Sequence, residues 1–82
     1  MKKINSLKEL KKLCKTDYRE FFIAIGPILR TSKTILYIPG EDLFVINHEI
    51  NGSIEELTTK EIMDPGITNI GTAITRGAFY MY

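Results

Sequence analysis

The stretch LRTSKTILYIPGEDLFVINHEINGSIEEL, from Leu29 to Leu57, decides the fold of this chain. It contains two long apolar runs and a shorter third segment, separated by Pro39-Gly40-Glu41 and by Asn51-Gly52. Proline fixes φ and glycine accepts a positive φ, so both separators favour turns. The stretch therefore predicts a three-stranded antiparallel β-meander over about residues 33–57.

Segments on both sides of the meander have the apolar spacing of helices. Ser6 and Glu9 fit a capping box, and the apolar stripe behind them predicts a helix over about residues 6–15. In the next segment, Tyr18, Phe21, Phe22 and Ile25 recur at i, i+3, i+4 and i+7. A strand remains an alternative there, but strict alternation is missing, so we predict a helix over about residues 17–25.

The C-terminal part adds shorter elements. Thr58 and Glu61 form another possible capping box, which predicts one helical turn after the meander. A last helix is predicted over about residues 69–76, since Gly77 is a natural stop. The apolar tail, residues 78–82, either packs on the sheet or adds an edge strand.

These elements predict a small α+β protein with a single domain, residues 1–82, in which helices from both ends of the chain cover mostly one face of the meander. The hydrophobic fraction of 44% and the charged fraction of 26% are typical of globular domains. No apolar run approaches the roughly 20 residues that span a bilayer, so we expect no membrane partner. A single cysteine excludes an internal disulfide framework, and we expect a cytoplasmic protein.

Catalytic and metal sites have little support in the sequence. Cys14 lies on the apolar stripe of the first predicted helix, where a buried and inert thiol is expected. His48 lies in a predicted strand without a recognisable motif around it. One histidine and one cysteine cannot form a four-ligand zinc site. We therefore predict no catalytic residues, no metal, no cofactor and no enzymatic activity.

One polar cluster has the chemistry of an anion site. Arg30, Ser32 and Lys33 combine two cations with a hydroxyl group, which suits a phosphate. The start of the last helix at Thr68-Asn69, with Arg76 beyond it, would extend this site if the fold joins them. The alternative is an exposed strand entry that is rich in threonine because threonine favours strands.

Two further surfaces are candidates for binding a partner. Lys8, Lys11, Lys12 and Lys15 form the polar side of the first helix, but no aromatic residue is interleaved with them, so we do not expect nucleic acid as a main partner. Phe79, Tyr80 and Tyr82 make the C-terminus unusually apolar. Such residues complete a core or form a patch for a partner protein or for a second copy of the chain.

Three segments carry a resemblance to known proteins: FFIAIGPILRTSKTI, INHEINGSIEELTTKEI and TNIGTAITRGAFY. They resemble a group of short, uncharacterised proteins from Firmicute-type bacteria and their phages or prophages. The resemblance spans about residues 21–80 and departs from the group's pattern at Gly26-Pro27 and Thr31. The group has no assigned activity, so the resemblance implies an origin in mobile elements and no site residues.

The leading hypothesis is a non-enzymatic binding protein of phage or prophage type that modulates a host protein in the host cytoplasm. The alternative is a binder of a phosphate-bearing nucleotide at Arg30, Ser32, Lys33 and the helix start at Thr68. The third hypothesis is weak nucleic-acid binding through the lysine side of the first helix.

Overall fold

The computed structural model describes the backbone of residues 1–82 and the side chains of all residues except 30–32. The radius of gyration is 11.6 Å, close to the roughly 11.7 Å expected for a folded chain of this length. The strands are β1 Lys2–Lys3, β2 Arg19–Ile25, β3 Ile28–Ile38, β4 Leu43–His48, β5 Ser53–Thr58 and β6 Phe79–Met81. The helices are α1 Leu7–Leu13, α2 Thr59–Ile62 and α3 Ile70–Thr75, with a 3-10 turn at Pro39–Glu41.

The six strands form one sheet in the order β1-β6-β2-β3-β4-β5. Every neighbouring pair in this sheet is antiparallel. The α+β class is thus confirmed, and the predicted meander corresponds to β3, β4 and β5. The predicted number of strands was too low, because β2, β6 and β1 extend the sheet beyond β3.

The predicted helix over residues 17–25 is wrong, since this segment is β2. Gly26-Pro27 is a two-residue hairpin loop that pairs Ile25 with Ile28, and the φ of +59° at Gly26 suits the first position of such a turn. The register with β3 shifts between Phe21 and Ile23, as in a β-bulge. Apolar residues on both faces of a bulged strand produced the spacing that favoured a helix.

The other helices are confirmed within one or two residues at each end. Ser6 caps α1 by accepting a hydrogen bond from the Glu9 N–H at 3.2 Å. The capping box of Thr58 and Glu61 opens α2, with both of its hydrogen bonds present. Gly71 lets α3 approach α2, because a Cβ there would lie 2.8 Å from the Ile62 carbonyl oxygen.

The loop between β4 and β5 is longer than a tight hairpin. Strand β4 ends at His48, and residues 49–52 form the loop before β5. The Gly52 N–H donates to the His48 carbonyl at 2.7 Å, and the φ of Gly52 is +71°. Ile50 is consequently exposed rather than paired with Ile54.

The core lies on one face of the sheet, which we call the covered face. Phe21 and Phe79 stack there with ring centroids 5.1 Å apart, and Tyr37 packs on Phe44 at 4.6 Å. The buried apolar side chains of all three helices belong to the same cluster, which includes Leu10, Ile62, Ile70, Ala73 and Ile74. The helices therefore pack on the covered face, as the sequence predicted.

Asp42 joins the elements at one end of the covered face. Its carboxylate accepts hydrogen bonds from the hydroxyl groups of Tyr37, at 2.8 Å, and Thr59. The Lys11 ammonium lies 3.6 Å from it and 5.1 Å from the Tyr37 ring centroid. The hydrogen bonds from Thr59 and Tyr37 lower the pKa of Asp42 below its ordinary value of 3.8. The link stabilises the fold while Asp42 is ionised and is lost as pH falls through that lowered pKa.

Replacing the side chains of two tail residues by alanine should lower the free energy of unfolding by very different amounts. Phe79 is fully buried, so Phe79→Ala is expected to lower the free energy of unfolding by about 3–5 kcal/mol. Tyr82 is 68% exposed, so Tyr82→Ala should cost about 1 kcal/mol or less. Urea denaturation followed by circular dichroism measures both. Equal losses in the two variants would contradict the placement of the tail.

Candidate functional site

The second face of the sheet is apolar although none of the described helices packs on it; we call it the open face. The strand registers place Phe22, Leu36, Val45 and Tyr80 on it, one from each of the strands β2, β3, β4 and β6. Phe22 and Val45 are each only 9% exposed. They lie outside the core cluster of the covered face. The open face therefore has a packed apolar centre of its own.

The aromatic tail is divided between the two faces. Phe79 and Met81 point into the core, whereas Tyr80 lies on the open face, half-buried beside Phe22. Tyr82 makes an edge-to-face contact with Phe22, with centroids 5.4 Å apart and an interplanar angle of 81°. Arg19 donates to the Tyr82 carbonyl oxygen and holds the C-terminus at the sheet. Of the predicted partner residues in the tail, Tyr80 and Tyr82 are accessible and Phe79 is not.

Among the described side chains, the charged ones that the registers place on the open face are Glu20, Glu56 and, beside Tyr80 on β1, Lys3. Thr34 and Asn47 face each other across β3 and β4. Glu20 pairs with Thr34 from β2, and Glu56 pairs with Val45 from β5. The described ion pairs of the carboxylates involve Glu9, Asp42 and Glu55, so neither Glu20 nor Glu56 is neutralised among the described side chains.

The predicted lysine surface lies on the other side of the molecule. Lys8, Lys12 and Lys15 are exposed, and helix α1 buries Leu10 in the core of the covered face. Lys11 differs from them because it is half-buried and engaged with Asp42 and Tyr37. The two predicted partner surfaces, the lysines and the tail tyrosines, are thus separated by the thickness of the domain.

The predicted anion site is only partly assembled. The side chains of Arg30 and Ser32 lie outside the described residues. Asn69 and Arg76 share a cavity of about 250 Å³ between α3 and the end of β2. The residues lining that cavity include neither Thr68 nor Lys33. The Thr68 hydroxyl instead accepts from the Ile70 N–H at 3.3 Å, and Lys33 lies half-buried between Phe21 and His48.

Cys14 and His48 do not form a catalytic pair among the described contacts. The Cys14 thiol is buried and donates to the Leu10 carbonyl oxygen at 3.0 Å. Burial raises the pKa of this thiol from 9.0 to about 11. His48 lies 3.6 Å from Glu55 on the neighbouring strand. The structure thus gives Cys14 the environment of a core residue.

The described residues contain no cluster of three or more side chains suited to a metal ion. None of the described helices has both the length and the apolar character to cross a bilayer. Comparison of the chain with protein-family models, curated proteins and solved structures finds no match.

We did not predict a binding surface at Phe22, Leu36 and Val45 from the sequence, although the continuous apolar runs of β3 and β4 indicated one. A sheet with one solvated face alternates apolar and polar residues, whereas a sheet covered on both faces has continuous apolar runs. The runs ILYI, residues 35–38, and LFVI, residues 43–46, are continuous. They have the composition of strands that are covered on both faces.

The thiol of Cys14 should be inert while the domain is folded. At pH 8, a pKa of about 11 instead of 9.0 lowers the thiolate fraction about 100-fold, and burial hinders access further. Labelling with a disulfide reagent such as DTNB is therefore expected to be about 100-fold slower, or more, in buffer than in urea. Rapid labelling of the folded protein would contradict the buried position of this thiol.

Proposed function

We propose that this chain is a small, non-enzymatic binding protein that holds another protein against its open face. The observation that carries the proposal is the apolar open face itself. The described helices leave without a covering layer the sheet face that carries Phe22, Leu36 and Val45, while the other face already has its own core. An apolar sheet face without a covering layer typically marks an interaction site.

The border of the open face has the composition of a protein interface. Tyr80 and Tyr82 lie beside the apolar centre, and both rings combine a large apolar area with a polar hydroxyl group. Tyrosine is enriched among residues that dominate binding energies. The sequence hypothesis of a partner surface around the tail is therefore retained for these two tyrosines and extended to their neighbours on the sheet.

The resemblance to short phage and prophage proteins suggests where the partner originates. We propose a protein of the bacterial host, bound in the host cytoplasm, whose activity is modulated by the complex. Binding alone suffices for this role, and no step of it requires a nucleophile, a metal or a cofactor.

Affinity capture with matched variants tests the proposal. Leu36→Arg places a charge in the centre of the open face, and Lys12→Glu changes a charge on the opposite side of the domain. A lysate of a Firmicute-type host is passed over the wild-type protein and each variant. We expect one partner that the wild type and Lys12→Glu retain and that Leu36→Arg loses, with a weakening of about tenfold or more once the partner is purified.

Two controls make this experiment decisive. Circular dichroism and thermal melts establish that each bait is folded. Tyr82→Ala removes an exposed ring of the same surface and should weaken the same complex without unfolding the domain. A partner that binds Leu36→Arg and Tyr82→Ala as tightly as the wild type would overturn the proposal.

A second candidate function is suggested by the cavity that joins Asn69 and Arg76. Its volume of about 250 Å³ lies below the roughly 300–1,000 Å³ of typical ligand sites, so we propose a phosphate group or another small anion there rather than a whole nucleotide. Thermal melts with inorganic phosphate and with nucleoside monophosphates test this candidate. A rise in melting temperature that Arg76→Ala abolishes is expected, and no rise with any of them rejects it.

A further inference from the structure

The centre of the open face is a strip of aliphatic side chains from two neighbouring strands. Leu36 of β3 pairs with Val45 of β4, and Ile38 pairs with Leu43. The four side chains follow the strand direction and are at least half-buried. We call them the aliphatic strip. Its shape is that of a band along β3 and β4 rather than of a round pocket.

Glu56 lies beside the aliphatic strip, and Glu20 lies on the other side one residue pair beyond its end, next to Thr34. Glu20 belongs to β2, next to β3, and Glu56 belongs to β5, next to β4. Strands lie about 4.8 Å apart, so the three spacings between β2 and β5 separate these positions by about 14 Å across the sheet. Thr34 and Asn47, which lie between them, are uncharged.

This arrangement matches the dimensions of an α-helix. A helix with its side chains is about 10–12 Å wide and presents one apolar stripe with polar borders. Laid along β3 and β4 and extended over Thr34 and Asn47, its stripe would cover the aliphatic strip. One border would then lie beside Glu56 and the other beside Glu20, one residue pair further along the strands. Lysine or arginine on both borders would neutralise the two carboxylates.

We propose that the open face binds an amphipathic α-helix of the partner protein, with basic residues on both borders of its apolar stripe. This inference rests on the proposed function and names the chemistry of the partner segment. The bound helix would give the sheet a layer of helix on its second face, which agrees with the continuous apolar runs of β3 and β4.

Other occupants fit the charges and shapes less well. A second copy packed face to face would bring four carboxylates into one apolar interface, and the two Lys3 side chains lie at the β1 edge, away from the aliphatic strip. The helix α1 of another copy presents lysines to solvent, but its apolar stripe is already buried in its own core, so it has nothing to fill the aliphatic strip. An extended peptide obtains its affinity by adding to a sheet edge rather than by covering a face.

Two synthetic peptides test the charge requirement. Each is an 18-residue helix with a leucine stripe; one has lysine on both borders and its matched control has glutamate. Fluorescence anisotropy at low salt measures binding to the full chain. The wild type should bind the lysine peptide at least about tenfold more tightly than the glutamate peptide. Salt at 0.5 M should reduce this difference in affinity, because it screens the charges. The net charge of the chain is +1, so overall attraction does not favour the lysine peptide.

A pair of double variants shows whether the preference arises on the open face. The double variant with Glu20→Lys and Glu56→Lys should bind the glutamate peptide more tightly than the lysine peptide. Glu41→Lys with Glu49→Lys changes the net charge equally but at exposed positions outside the strands, so it should leave the preference in place. Thermal melts confirm that both double variants are folded.

The outcomes separate this inference from the proposed function. Equal binding of the two peptides, or a preference that survives Glu20→Lys with Glu56→Lys, overturns the helix inference. A partner that is captured and still lost with Leu36→Arg would in that case leave the proposed function intact. A dimer in sedimentation that Leu36→Arg dissociates would assign the open face to a second copy and would also overturn the helix inference.

Discussion

The stack of Phe21 on Phe79 is the interaction on which the rest of this structure depends. It joins β2 to β6 inside the core, with the two rings 13° from parallel. Strand β6 in turn pairs with β1, so both ends of the chain are attached to the meander through β2. Without β2 as a strand, the pair of β1 and β6 would have no strand that links it to the meander, and Phe22 would not lie beside Tyr80 on the open face.

Local signals in the sequence predicted the elements that local chemistry determines. The capping residues Ser6 and Thr58 start helices where expected, and the turns at Pro39–Glu41 and Asn51-Gly52 separate the expected strands. Strand β2 was missed because its conformation depends on distant partners. Periodicity could not reveal it, since a bulge interrupts its alternation and both of its faces are apolar.

The candidate site was predictable only in part for a related reason. The tail tyrosines were identified from composition, because aromatic residues at a terminus are conspicuous. Leu36 and Val45 look like ordinary core residues in the sequence, and only the strand registers show that they face away from the helices. Glu20 and Glu56 are 36 residues apart in sequence, so their positions on the two sides of β3 and β4 follow from the topology alone.

The open face exists only if residues 19–25 form the central strand, and nuclear magnetic resonance tests this most directly. The structure predicts 13Cα shifts below random-coil values over residues 19–25. It also predicts cross-strand NOEs between residues 21 and 81 and between residues 22 and 80. Shifts above random-coil values over this segment, without those NOEs, would show a helix and would contradict both the six-stranded sheet and its open face.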